Sequence, residues 1–467
     1  MVSPTTLACR FSYSLSWLLL PLLAVGACTG TGGKSGMDGV AVELPASFSK
    51  SIAGLPRADG KWWEDLGSKE LESWIKRALA ANGDIQAAQA RLRRAEADVR
   101  AAGAERFPDL DASAGYEARS REESTGRRES SGGSLGLASS WEIDLWGRVR
   151  SGRMAAAFDA EAAAADLDAA RISIAASVAT LWANATEQSA QIRLLEEQRK
   201  NNQTGLEILE LRNRRGQASA IDVAQQRQLV ESASGDIIQA KSNLTVTTTA
   251  LLVLAGEIPA SRAVEVSGPL PEPGRWPPTG IPSECLAGRP DLRASMARIA
   301  SSEERVAVAI AERFPRLRLN ALASSDAPSW SGLADAWIAS IAADVVAPLI
   351  DGGARKAAVD AARARAAELS STFAQDLRGA FAEVENAMVE ETAQRDFVAS
   401  LETQAAHARV AVERARAGYL RGTESYLRVL DAVRSMQSLE RRILGARRDR
   451  FVQRINLSRA LARSPRP

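Results

Sequence analysis

The sequence predicts a mixed, mainly α-helical chain, built from two copies of one helix–β-hairpin–long-helix unit. Three observations predict it. The pentapeptide Ala104-Glu105-Arg106-Phe107-Pro108 recurs as Ala311-Glu312-Arg313-Phe314-Pro315, inside a window in which about half of the positions repeat, the mark of a duplicated unit. Each copy is followed by segments whose apolar residues alternate with a period of two. Each alternating region then gives way to a long proline-free stretch carrying a heptad seam.

In chain order, residues 1–27 read as a secretory signal peptide. Arg10 supplies the positive charge, and the apolar run Leu15 to Val25, broken by Ser16 and Pro21, is too short to span a bilayer. The run ends in Val25-Gly26-Ala27-Cys28, which resembles a bacterial lipobox, so Cys28 is expected to carry lipid and begin the mature chain. Residue 29 is Thr rather than Asp, which by the same resemblance favours the outer membrane. Cys9 departs with the signal peptide, leaving Cys285 and no intramolecular disulfide. No segment after residue 28 reads as a membrane helix, so a membrane crossing requires strands in a closed barrel.

Residues 28–80 form the N-terminal segment, and residues 81–256 the first repeat. Its opening helix, Asp84 to Arg106, stops at Phe107-Pro108, where proline disfavours continuation. A hairpin is expected over about 108–146. Leu110, Ala112, Ala114 and Tyr116 alternate, as do Leu135, Leu137, Ser139, Trp141 and Ile143, and Arg119 to Gly133 reads as a polar loop between them. From Val149 to Arg214, Ile174, Val178, Leu181, Ala185, Gln188, Ile192 and Leu195 step by four and three, a seam with one polar member. Gly216 marks a tight turn, and a helix returns over 218–256.

Residues 257–288 form a linker containing Pro269, Pro271, Pro273, Pro277 and Pro278. The second repeat, 289–463, follows the same order. Its hairpin falls at about 315–350, with strands near Arg316 to Ser324 and Ala336 to Pro348 and a loop containing Asp326-Ala327-Pro328. Leu369, Phe373, Leu377, Phe381, Val384 and Met388 carry its seam, Gly422 marks its turn, and 425–463 its returning helix, before a tail at 464–467. Arg215-Gly216 matches Arg421-Gly422 and Gly147 matches Gly352, so the spacing of the copies barely drifts. At 1.5 Å per residue the long helix measures ~100 Å, close to the returning and opening helices laid end to end. That is a wall built for length.

The composition excludes several function classes. A net charge of +2 and alternating Arg and Glu argue against a nucleic-acid partner. His407 is the only histidine, so no His/Cys metal cluster exists and no metal or other cofactor is expected beyond the Cys28 lipid. Glu383, Glu385, Glu390 and Glu391 read as a solvated helix face. Gly132-Gly133 and Gly352-Gly353 lack the Lys-Ser or Lys-Thr of a phosphate loop. No nucleophile–base pair is legible, so the chain does not read as an enzyme. Trp62-Trp63 reads as packing rather than as a stacking platform.

Several stretches together resemble the outer-membrane efflux protein family of the TolC type, in particular its lipoprotein branch. They are Trp62-Trp63 with Ala78-Leu79-Ala80-Ala81-Asn82; Ile281-Pro282-Ser283-Glu284 with Arg289-Pro290-Asp291-Leu292-Arg293; Trp141-Glu142-Ile143-Asp144-Leu145-Trp146-Gly147-Arg148 with Pro348-Leu349-Ile350-Asp351-Gly352-Gly353; and Tyr419 through Gly422 with Tyr426-Leu427 and Leu430-Asp431-Ala432. The resemblance implies a homotrimer. Four strands per chain would become a twelve-stranded transmembrane barrel without free edges, continuous with a long periplasmic α-helical barrel. It also implies a passive exit duct of a tripartite efflux system, serving an inner-membrane transporter through a periplasmic adaptor. At the periplasmic tip the family pattern places Asp431 on an acidic ring, Asp222 on a tip aspartate of the first repeat, and Tyr419 on a tip tyrosine. Glu424 and Arg428 stand in inverted charge order to the best-known pattern, so its latch salt bridges do not transfer. Two rivals are a lipidated periplasmic adaptor, which would carry one hairpin rather than a duplicated unit, and a structural coiled-coil envelope protein, which would need no alternating segments. The cargo is not legible.

Overall fold

The computed structural model describes residues 43–463 except 51, 53–60, 125, 260–265, 267, 329 and 336. The signal peptide and Cys28 lie outside the described residues. The elements run α1 (Lys69–Ala81), α2 (Gly83–Ala104), β1 (Asp111–Glu123), β2 (Gly126–Ile143), α3 (Arg148–Arg214), α4 (Ala220–Leu254), α5 (Pro282–Ala287), α6 (Pro290–Ala311), β3 (Arg316–Ala327), β4 (Trp337–Val346), α7 (Ala354–Leu420) and α8 (Tyr426–Ala460). Short 3-10 turns cover Trp62–Leu66 and Trp330–Ala334.

The duplication is exact in length. α3 and α7 each have 67 residues, α4 and α8 each 35, α2 and α6 each 22. The long helices start alike. Gly147 and Gly353 are their left-handed N-caps, so the partner of Gly147 is Gly353 and not Gly352 as the sequence spacing suggests. Just upstream, Asp144 accepts from the amides of Val149 and Arg150, and Asp351 from those of Gly353 and Arg355. A carboxylate at a helix N-terminus satisfies amides that have no partner within the helix.

The strands form one antiparallel sheet in the order β1-β2-β3-β4. Both loops are shorter than expected. Arg119 to Glu123 extend β1 and Gly126 to Gly133 begin β2, pairing Arg119 with Ser130 and Arg121 with Arg128. Asp326 and Ala327 end β3 rather than entering the loop. A ladder needs only backbone groups, so a polar ribbon standing in water carries no alternation to reveal it.

α3 is the spine: α2 and α6 pack along one half, α4 along the other, and α8 beside it, with α7 on α8. The hydrophobic centre sits near the middle of α3, where Trp182 meets Phe451, Leu251, Ile75, Trp62 and Trp63. The tryptophan pair is therefore buried core. A second cluster joins Phe48, Cys285, Met388 and Leu457, with Phe48 stacked on Phe381 at 5.3 Å. Burial there pushes the Cys285 thiol up to about 11, which makes it an inert packing residue.

Two further expectations change. α4 contains a stretch long and apolar enough to cross a membrane, although the sequence reading found none after residue 28. It is one arm of the α3–α4 hairpin, running from the Gly216 turn to the Trp182 core. Glu391 is buried rather than solvated, because it continues the seam of Val384 and Met388 one step on. The Arg454 guanidinium closes on it from α8.

Candidate functional site

Successive strand residues face opposite sides of a sheet, so the pairing register sorts the side chains of all four strands. One face carries Leu135, Leu137, Trp141, Leu317, Leu319, Trp337, Ile341 and Val345. The other carries Ser113, Glu117, Ser134, Ser140, Glu142, Arg318, Asn320, Ser324, Asp326 and Asp344, with Leu322, Ile338 and Val346 as its apolar members, and Asn320 donates there to Asp344 at 2.6 Å. An apolar face backed by a polar one is the division a membrane barrel makes between lipid and lumen. The shortest strand has 10 residues, enough to cross a bilayer at a tilt. β1 and β4 are left as open edges.

Both hairpin turns of the helices lie at the far end from the sheet. Gly216 and Gly422 adopt left-handed φ of 69° and 76° and close them. Four helices lie side by side there, in the order α4, α3, α8, α7. Within each hairpin the contact is apolar: Leu206, Leu209, Val223 and Val230 for α3–α4, and Val398, Leu401, Ala405 and Leu439 for α7–α8. Between the hairpins the seam is mainly polar. Gln198 donates to Glu440 at 2.9 Å, Gln437 to Asn202 at 2.9 Å and the Tyr426 hydroxyl to Gln226 at 2.7 Å, while Gln226 is held on the α3–α4 side by donating to the Asn202 carbonyl at 2.6 Å. Burial, with Tyr419 and Asp222 nearby, pushes the Tyr426 hydroxyl up to about 12.

The expected tip residues are partly gathered. Tyr419 meets Tyr426 edge-on with centroids 5.3 Å apart, and the Arg212 guanidinium lies 4.8 Å over the Tyr419 ring. Asp222 is occupied: its side chain accepts from the Ser219 amide and the Ser219 hydroxyl accepts from the Asp222 amide, a capping box at the start of α4. Asp431, in the second turn of α8, is exposed and makes no hydrogen bond or ion pair among the described residues. Glu424 and Arg428 are exposed, and neither side chain makes an ion pair there. The sequence reading missed Asn202, Gln198, Gln226 and Gln437. The signal was present for Asn202, which falls at the heptad step after Gln188 and Leu195. His407 is exposed on α7.

The sequence model of the outer membrane efflux protein family matches residues 74–257 and 281–463, one match to each copy of the duplicated unit. The chain belongs to this family. Its relatives span it almost end to end. It is similar to the pyoverdine export outer membrane protein OpmQ of Pseudomonas putida, 31% identical over 84% of this chain and 86% of that protein. It is also similar to the cation efflux system protein CusC of Escherichia coli, 27% identical over 95% of this chain and 98% of that one. Among solved structures it matches the open state of the Neisseria gonorrhoeae MtrE outer membrane channel, with a TM-score of 0.82, 25% identity, and coverage of 91% of this chain and 96% of that one. The protein is thus an outer-membrane efflux channel that extends into the periplasm. Its sheet is the outer-membrane part, and its helices are the part that extends into the periplasm.

Proposed function

We propose that this channel works as a homotrimer, the passive exit duct of a tripartite efflux system in which a periplasmic adaptor links it to an inner-membrane transporter. The observation that carries the reading is the two-faced, four-stranded sheet with open edges on β1 and β4. Open edges are untenable in a bilayer, and three chains would close twelve strands into a barrel. The helical end supports the same closure. α4 and α7 are the outer flanks of the four-helix layer, and each exposes apolar side chains: Ile238, Val246 and Val253 on one, Val389, Phe397 and Val410 on the other. Measured from the tip at 1.5 Å per residue, the two sets overlap between ~27 and ~47 Å. A neighbouring chain would bury one set against the other.

Lipid on Cys28 would add a second anchor. Cargo choice would rest with the transporter, since the lumen face mixes polar, charged and apolar side chains without a shaped site among the described residues, and relatives named for pyoverdine and for cations share this fold. Conduction by diffusion asks for no catalytic group. The test is a heat-modifiable band on a denaturing gel at three times the chain mass, with channel conductance of the same preparation in a planar bilayer. A heat-stable, monodisperse monomer that conducts nothing would refute the shared barrel.

A further inference from the structure

We infer that the cleft between the α3–α4 and α7–α8 hairpins, just above the tip, is a binding site for a small amphipathic anion such as an aromatic carboxylate or sulfonate. The cavity holds about 600 Å³, the size of a site for a compact organic molecule. Its tip end carries two buried donors without acceptors, the Tyr419 hydroxyl and the Arg212 Nε. They are neighbours, since the Arg212 guanidinium lies over the Tyr419 ring. Beside them Tyr426 has its acceptor in Gln226, and the amides of Asn202 and Gln437 satisfy each other. The unmet demand is therefore confined to Tyr419 and Arg212. A buried donor left unpaired is costly, and a guanidinium calls for an anionic acceptor.

The charge distribution agrees. Arg212 makes no ion pair among the described residues, and Arg416 joins it at this end, while Glu197 and Glu440 line the other. The wall between is apolar, formed by Leu209, Leu430 and Val433. A ligand would set its acidic group on Arg212 and Tyr419 and lay its rings along that wall. The site needs only one chain, so it stands independently of the trimer. Its occupant would bridge the two hairpins across their polar seam.

The test uses the full protein in lipid nanodiscs, titrated with 1-anilinonaphthalene-8-sulfonate and followed by fluorescence. Saturable binding of one probe per chain is expected. Arg212→Gln and Tyr419→Phe should each weaken it about tenfold, the scale of one charge-assisted hydrogen bond, with the helical circular dichroism unchanged. Val433→Trp, which fills the cleft, should abolish it. The uncharged analogue N-phenyl-1-naphthylamine should bind at least as weakly as the probe does to Arg212→Gln. Equal affinity for the charged and uncharged dyes overturns the assignment, as does identical binding by wild type, Arg212→Gln and Tyr419→Phe.

Discussion

Arg454 is nearly enclosed, and its guanidinium divides itself between a carboxylate and the linker. It donates to Glu391, and also to the carbonyls of Gly274 and Arg275 at 2.9 Å each. One side chain thereby ties α7, α8 and the proline-rich strap together. Removing one member of a buried pair strands the other charge, so Arg454→Met should cost ~3–5 kcal/mol, whereas Arg454→Met with Glu391→Leu should cost less. Urea unfolding of the two variants in detergent decides it: a single variant no worse than the double would mean that Glu391 is solvated after all. The sequence could not show this pair, because a glutamate in an acidic helical run looks solvent-facing until its seam position is known. Asp291 is the opposite case, visible within the Arg289-Pro290-Asp291 motif but without its reason. Burial alone would raise its pKa; the hydrogen bond and charge of Arg289 overcome that and hold it below 3.8. Its contribution is therefore full above pH 3.8 and disappears as pH falls through the lower folded value. Asp291→Asn should lower the melting temperature at pH 6 but approach wild type in strong acid. A gap that stays constant with pH would show that the pair's charge contributes nothing.

Elements were legible where a repeating pattern had to be buried. The long helices announce themselves through heptads, missing prolines and matched glycines, and their observed ends lie within a few residues of the expected ones. The far halves of β1 and β2 were not, since both faces of that ribbon are wet. The junction of α1, α2 and α4 was equally hidden. Asn82 caps α2 through the amides of Asp84 and Ile85 and donates to the Leu254 carbonyl, so one amide fixes the end of α4 against the start of the repeat. Gly256 lies in that contact at φ 75°, and a Cβ there would stand 2.5 Å from the Ala81 carbonyl oxygen. Gly216 has a similar φ but open space around it. Gly216→Ala should therefore cost only the ~1–2 kcal/mol of a left-handed alanine, and Gly256→Ala distinctly more. Thermal unfolding compares them, and equal losses would mean that the junction yields to the added methyl.

For the whole molecule, the question is what closes the periplasmic end. The family pattern brings Asp222 and Asp431 forward together, yet the structure gives them different employment. Asp222 is engaged in its capping box, and its removal should cost about 1 kcal/mol of helix stability. Asp431 is exposed and unpaired among the described residues, and three copies about a trimer axis would form a ring of negative charge. Like charges in a narrow mouth repel one another and attract cations, most strongly at low salt. The resting channel should thus conduct poorly, prefer cations and be blocked by divalent ions. Asp431→Ala should weaken both the preference and the block while trimers still assemble. Asp222→Ala should lower thermal stability and leave selectivity nearly unchanged. Glu424 and Arg428 stand exposed beside the ring, so their exchange would shift its local field without breaking a bond seen within the chain. Bilayer recordings under a potassium chloride gradient, with magnesium added from the periplasmic side, separate the two aspartates. If Asp222→Ala alone abolishes block, the capping box must open in the assembled channel and Asp222 is the gate. If neither variant changes conductance, selectivity or block, the closing contact is not an acidic ring. The polar seam of Asn202, Gln226 and Gln437 between the hairpins is then the next place where closure must be sought.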